Sequence, residues 1–165
     1  MADVKTVFGS LDDYRKGGIE IIADDPKNYV FSNVFEVASK EAPYNRVAVG
    51  KNFQYVIEVA RAEGTSPWFT CAHDEFALAM DGQVEVRLKK LGDEQLLDAD
   101  KEGATLVDGE PSGPKMGRIV LGRGHMALLP KGAGYQFHAD KPSVLTIQTI
   151  QGELTIEKWA EICET

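Results

Sequence analysis

Residues 70–88 read Thr70-Cys-Ala-His-Asp-Glu75-Phe-Ala-Leu-Ala-Met80-Asp-Gly-Gln-Val-Glu85-Val-Arg-Leu88. Phe76, Leu78 and Met80 form an apolar row at period two. Val84, Val86 and Leu88 form another, with Gln83, Glu85 and Arg87 on the opposite face. Between the rows stands Asp81-Gly82, the strongest short signal for a tight hairpin, because both central residues of that turn need positive φ. The expectation is a β-hairpin with Glu75 at its head.

Outward from this stretch the chain reads as short strands with turn signals between them. Ile19–Ala23, Tyr29–Ala38, Arg46–Val49, Phe53–Arg61 and Trp68–Ala72 precede it. Met116–Leu121, His125–Leu129, Tyr135–His138 and Ser143–Gln151 follow it. The segment Gly92–Gly113, rich in acids, Gly and Pro, reads as an exposed connection with a short element at Ala104–Val107. One short helix is expected within residues 1–18, with Ser10 as its cap. Another is expected at the C-terminus, capped by Thr155, with Leu154 and Trp159 as a hydrophobic staple. Such a pattern indicates an all-β sandwich or barrel, and 165 residues suffice for one domain over 1–165.

Composition narrows the function. Eighteen Lys and Arg against 26 Asp and Glu give a net charge of −8. That argues against nucleic acid or an anionic membrane as partner, since both reward clustered cations. The chain carries no long apolar run, and its opening Met-Ala-Asp-Val-Lys-Thr lacks a signal-peptide core, so a cytoplasmic protein is expected. Cys71 and Cys163 have no metal-ligand spacing and read as reduced thiols.

Glu75 and Gly82, with six residues between them, resemble the second half of the first cupin motif, Gly-x5-His-x-His-x3,4-Glu-x6-Gly. The histidine half is missing, because Cys71 or Thr70 and Phe69 or Trp68 stand where imidazoles would be. Gly124, Pro130 and Gly132 resemble the second motif, Gly-x5-Pro-x-Gly-x2-His-x3-Asn, with Tyr135 at the ligand position and Ala139 at the Asn position. The turn residues are present and the three ligand histidines are not. The resemblance implies an all-β fold: a single cupin jelly-roll β-barrel with a short N-terminal helix and a C-terminal helix.

The whole chain is similar to the small subunit of the two-component hydroquinone dioxygenases. Ile19–Pro26, Phe31–Ala38, Val49–Val56, Ser66–Phe69 and Ala72–Ala77 carry the likeness. The resemblance implies an assembly, α2β2, that opens the ring of hydroquinone, an aromatic diol, with O2 to give 4-hydroxymuconic semialdehyde. It implies no cofactor in this chain and Fe(II) in a cupin domain of the large catalytic subunit.

Iron that activates O2 sits on imidazoles plus a carboxylate. Glu75, Cys71 and Tyr135 are thus read as degenerate ligand positions, with no catalytic residue and no metal in this chain. Glu75 is most simply a buried acid bonded to Tyr135 or His73. A self-sufficient metal dioxygenase would have to use His73, Glu75 and His138. His73 and Glu75 share a strand face, but His138, three residues beyond Tyr135, turns outward if Tyr135 faces in. A stand-alone cupin holding a small ligand in an emptied barrel is the third reading. Trp68 is read as core or as an anchor toward a partner and its substrate.

Overall fold

The fold is organised by one strand, β9, which runs from Ala133 to Ile150 and serves two layers. The other strands are β1 Arg46–Asn52, β2 Tyr55–Thr65, β3 Phe69–Cys71, β4 Glu75–Asp81 and β5 Gln83–Lys90. After them come β6 Ala104–Leu106, β7 Lys115–Gly122, β8 Met126–Leu129 and β10 Thr155–Ile156. Helices α1 (Val34–Lys40) and α2 (Trp159–Ile162) are short. This computed structural model describes residues 9–15, 19–24 and 32–162.

The first half of β9 lies between β3 and β5, with β6 beyond β3 and β7 beyond β5. Its second half lies between β2 and β4, with β1 and β10 beyond β2 and β8 beyond β4. Ten strands therefore curl into a two-layered barrel, and period-two alternation turns one face of each inward. The interior is filled by Phe69, Leu121, Leu129, Tyr135, Phe137, Leu145 and Ile147. Outside it, α1 covers a second apolar cluster of Val37, Ala38, Val47, Val59 and Val144.

The expected hairpin is a corner instead. β4 and β5 do not pair with each other; both pair with β9, Asp81 opposite Val144 and Glu85 opposite His138. The type I′ turn expected of Asp-Gly needs positive φ at both residues, and of the two only Gly82 has it, at 72°. One left-handed residue bends a continuous strand from one layer into the other rather than reversing it.

Other elements differ at the ends of the chain. Ser10 caps no helix: residues 11–13 bend, with Asp13 N–H donating to Ser10 Oγ at 3.0 Å. Residues 1–8 and 16–18 of that expectation lie outside the described residues. Residues 19–23 form no strand. The strand expected over Tyr29–Ala38 is helix α1 where it is described. Its cap is Asn33, whose Oδ1 accepts from Phe35 N–H at 3.0 Å and Glu36 N–H at 3.2 Å. Thr155 does not cap the final helix but sits in β10, its hydroxyl donating to Glu58 Oε1 at 2.6 Å. Cys163 lies outside the described residues.

Candidate functional site

The barrel's inner wall brings together the positions that the motifs mark. Phe69 on β3 stands opposite Tyr135 on β9, and Glu75 opens β4. Glu75 is fully buried, and Cys71 and Tyr135 are each 1% exposed. Cys71 ends β3, Glu75 opens β4 and His73 stands in the bend between them, and one ligand-type atom from each lies within 4.8 Å of the others. His138 is not in this cluster. Its neighbours Phe137 and Ala139 point inward, so His138 points out, with Nδ1 2.7 Å from Thr65 Oγ1 and Nε2 3.1 Å from Asp140.

A cation already occupies the centre: the guanidinium of Arg46. Nη2 donates to Glu75 Oε1 at 2.7 Å, Nη1 donates to Tyr135 Oη at 3.0 Å and Nε donates to Glu58 Oε2 at 2.5 Å. Its Cζ sits 5.7 Å from the centre of the Phe69 ring. The Tyr135 hydroxyl in turn donates to Glu75 Oε2 in a short hydrogen bond. Both oxygens of Glu75 are thus taken, one by Arg46 and one by Tyr135.

The charges fit this arrangement. Burial works to discharge Arg46, but the neighbouring carboxylates of Glu75 and Glu58 outweigh it and hold its pKa well above the ordinary arginine value. Burial pushes the Tyr135 phenol well above its ordinary 10.0, and Glu75 adds to the rise against the opposing pull of Arg46. Tyr135 therefore keeps its proton and serves as a donor.

The other two ligand-type side chains are also engaged. Ile150 N–H donates to His73 Nε2 at 3.2 Å, which leaves the ring proton on Nδ1, 3.3 Å from Cys71 Sγ. Cys71 donates to Gly103 O at 3.0 Å. Burial, reinforced by Glu75, pushes its thiol from 9.0 up to about 12, so the sulfur keeps its proton here. Iron at these positions would have to displace Arg46 and Tyr135 from Glu75, Ile150 from His73 and the proton from Cys71. All three donor side chains are thus already engaged within the protein.

The barrel is filled as well as paired. Phe69, Tyr135 and Phe137 pack with ring centres 5.5–6.3 Å apart. A hollow of about 360 Å³ remains at the barrel end, lined by Tyr44, Arg46, Pro67, Phe69, Leu154 and Ile156. Trp68 points the other way. It is half-buried in the wall of an outer groove of about 670 Å³ beside Arg87, Lys89, Arg118 and Gln136.

Sequence reasoning placed Glu75, Tyr135, Cys71 and His73 together and missed Arg46 and Glu58. Glu58 had left a signal: it shares strand parity with Val56, Ala60 and Ala62, all buried.

Solved structures supply the context. The chain is 65% identical, with a TM-score of 0.93, to a chain of hydroquinone 1,2-dioxygenase from Sphingomonas sp. TTNP3 with 4-hydroxybenzoate bound; 99% of each chain is covered. It is 51% identical, with a TM-score of 0.91, to a chain of hydroquinone 1,2-dioxygenase PnpCD in complex with Cd2+ and 4-hydroxybenzonitrile, over 100% of this chain and 99% of that one. A longer chain in structures of the same two enzymes shares the fold, with a TM-score of 0.62 in both. It is 15% and 14% identical, and only 41% and 42% of its own length is covered. No protein-family model matches the chain, and no curated protein matches it. Identity at this level over the full length settles the kinship: the chain belongs to the hydroquinone 1,2-dioxygenase family, on a cupin barrel.

Proposed function

We propose that this chain, residues 1–165 acting as one cupin unit, is the small, metal-free and non-catalytic subunit of a two-component ring-cleavage dioxygenase. The assembly, α2β2, would open hydroquinone with O2 to 4-hydroxymuconic semialdehyde in the cytoplasm. Fe(II) would belong to the larger cupin subunit. The observation that carries this reading is the grip of Arg46 on Glu75 and Tyr135. A guanidinium supplies a fixed positive charge and five donors, but no acceptor, no open coordination position and no redox chemistry. It holds the barrel wall together as an ion would and offers nothing to O2.

This chain's share of the work is then structural support and the shaping of a partner's pocket. Trp68, on the wall of an outer groove, is the side chain assigned to reach toward partner and substrate. The trio Cys71, His73 and Glu75 favours a second reading, a metal site within this chain. Against it stand the bonds that already hold each of the three.

The test is to purify the tagged chain from its native cell and measure iron by elemental analysis. The longer cupin chain is expected to copurify, with iron following that chain. The chain freed of its partner is expected to hold less than a tenth of an equivalent of iron and to turn over no hydroquinone. Stoichiometric iron with ring cleavage by the isolated chain would end the proposal.

A further inference from the structure

We propose that the outer face of β2, β9, β4 and β8 is the surface that packs against the longer cupin chain. This inference rests on the two-subunit reading above. In these strands the inner face forms the core, and among the described residues the outer face is covered only where α1 and its neighbours lie, over Val47, Val59, Val144 and Met80. Beyond α1 the apolar pattern continues with none of the described residues laid over it. Ile57 stands opposite Gln148, Gln148 opposite Phe76, and Phe76 opposite Leu128, a row across four strands. Leu78 and Met126 form the next step. Tyr55, Ile57, Phe76, Met126 and Leu128 are 54, 47, 42, 60 and 45% exposed.

At the edge of this face the β1–β2 turn presents Phe53, 87% exposed and with φ of 56°. A bulky aromatic in the left-handed region is uncommon, and here it holds an apolar side chain in water beside Tyr55. The residues flanking it, Asn52 and Gln54, carry no charge, and neither do the residues of the row. A chain of net charge −8 thus carries no charge along this row.

The area suits a subunit contact. At roughly 150–250 Å² for an aromatic side chain and somewhat less for Ile, Leu and Met, these six expose on the order of 600 Å². That is the upper limit of what a monomer ordinarily leaves apolar, about 300–600 Å². It also exceeds the non-polar share, near 57%, of the roughly 800 Å² that each partner gives to a standard interface. The occupant is the longer chain because structures of the 65% identical enzyme contain such a chain, with the same fold over 41% of its length. A barrel of the same fold has an equivalent sheet, and two such sheets can pack face to face.

The test pairs this chain with the longer cupin chain that copurifies from the native cell. One variant carries Ile57→Glu and Met126→Glu. A control carries Leu96→Glu, an exposed apolar position in the connection between β5 and β6, away from both this face and the Trp68 groove. Circular dichroism and melting establish that both variants fold. Size-exclusion chromatography should then show the unaltered chain and the control eluting with the longer chain, and at least a tenfold loss of complex for the Ile57/Met126 variant. Hydrogen exchange on the unaltered chains serves if that variant does not fold: residues 53–57 and 126–128 should gain protection in the complex. A folded Ile57/Met126 variant that pairs fully, or a complex in which residues 53–57 and 126–128 gain no protection, overturns the assignment while leaving the two-subunit reading intact. A dimer of the unaltered chain alone that the same variant dissociates overturns the choice of occupant. Absence of any longer cupin chain in the purification removes the underlying reading, and that is seen before any variant is made.

Discussion

Arg46 Nη2 and Glu75 Oε1 lie 2.7 Å apart inside the barrel, with the two side chains 3% and 0% exposed. Glu75 is the acid of the first cupin motif, so a side-chain cation has been fitted to the carboxylate that the motif offers to a metal ion. Glu58, 12 residues from Arg46 in sequence, takes a second edge of the guanidinium. One cation is thus shared by two buried carboxylates and one phenol.

Removing that cation is expected to be costly. Arg46→Met would leave Glu58 and Glu75 buried without a counter-charge, which typically costs about 3–5 kcal/mol. Chemical denaturation of the two proteins checks this, and a loss below 1 kcal/mol would count against the network as described. Arg46→Lys should rescue little, since one ammonium cannot reproduce three directed edges. Adding Glu58→Gln and Glu75→Gln to Arg46→Met should recover more than half of the loss, because no unpaired charge is then buried.

The corner at Gly82 gives a second, independent test. A Cβ there would lie 2.1 Å from Ser143 Oγ and 2.8 Å from Ser143 Cβ, with φ at 72°. Gly64 has nearly the same φ, 70°, but a Cβ there meets nothing within 4 Å. Gly64→Ala should therefore cost only the left-handed backbone term, about 1 kcal/mol. Gly82→Ala should cost that plus the displacement of β9, about 2–4 kcal/mol in all. Equal losses in denaturant midpoints would mean that the close approach to Ser143 contributes nothing.

Cys71 predicts a pH dependence. Its thiol is raised by burial from 9.0 to about 12, so between these values the folded chain keeps a proton that the unfolded chain releases. The folded state then binds more protons, and stability must fall as pH rises. The contribution is complete below pH 9.0 and is lost as pH climbs toward about 12. Melting temperature should drop as pH rises from 9.0 toward about 12, and Cys71→Ala should drop less. Tyr44, also raised to about 12 by burial, acts alike in both proteins and cancels from the comparison. Parallel slopes for the two would refute the assignment.

What the sequence disclosed followed the range of the interactions involved. Period-two alternation located β4, β5, β7, β8 and the second half of β9, because each strand carries its own inside and outside. The motif glycines marked corners correctly. Asp81-Gly82 was read as a reversal because local turn chemistry does not say which strand a neighbour pairs with. That choice was made by β9, some 60 residues on. The helix at Val34 was missed for a related reason: Val34, Phe35 and Val37 suit a strand, and the cap that decides otherwise is one side chain, Asn33. Arg46 was hidden most deeply. Its partners lie 12, 29 and 89 residues away, so its burial is compensated only in the folded barrel.

The sharpest prediction concerns metal. Replacing Phe69, Cys71 and Tyr135 with His restores imidazoles at the three motif positions, beside an unchanged Glu75. On ligand chemistry alone such a protein should bind a divalent ion. The structure leads to a different expectation, because the Arg46 guanidinium fills the space and takes a Glu75 oxygen. A second positive charge beside it would be repelled at short range in a medium of low polarity. The triple His variant should therefore bind Co2+ weakly or not at all, with no d–d absorption near stoichiometric metal. Adding Arg46→Ala vacates the centre, frees the carboxylate and should bring tight binding, read as a visible cobalt spectrum and a metal-dependent rise in melting temperature. Equal cobalt affinity with and without Arg46 would show that the missing histidines alone keep metal out, and that the buried guanidinium is a packing device with no bearing on it.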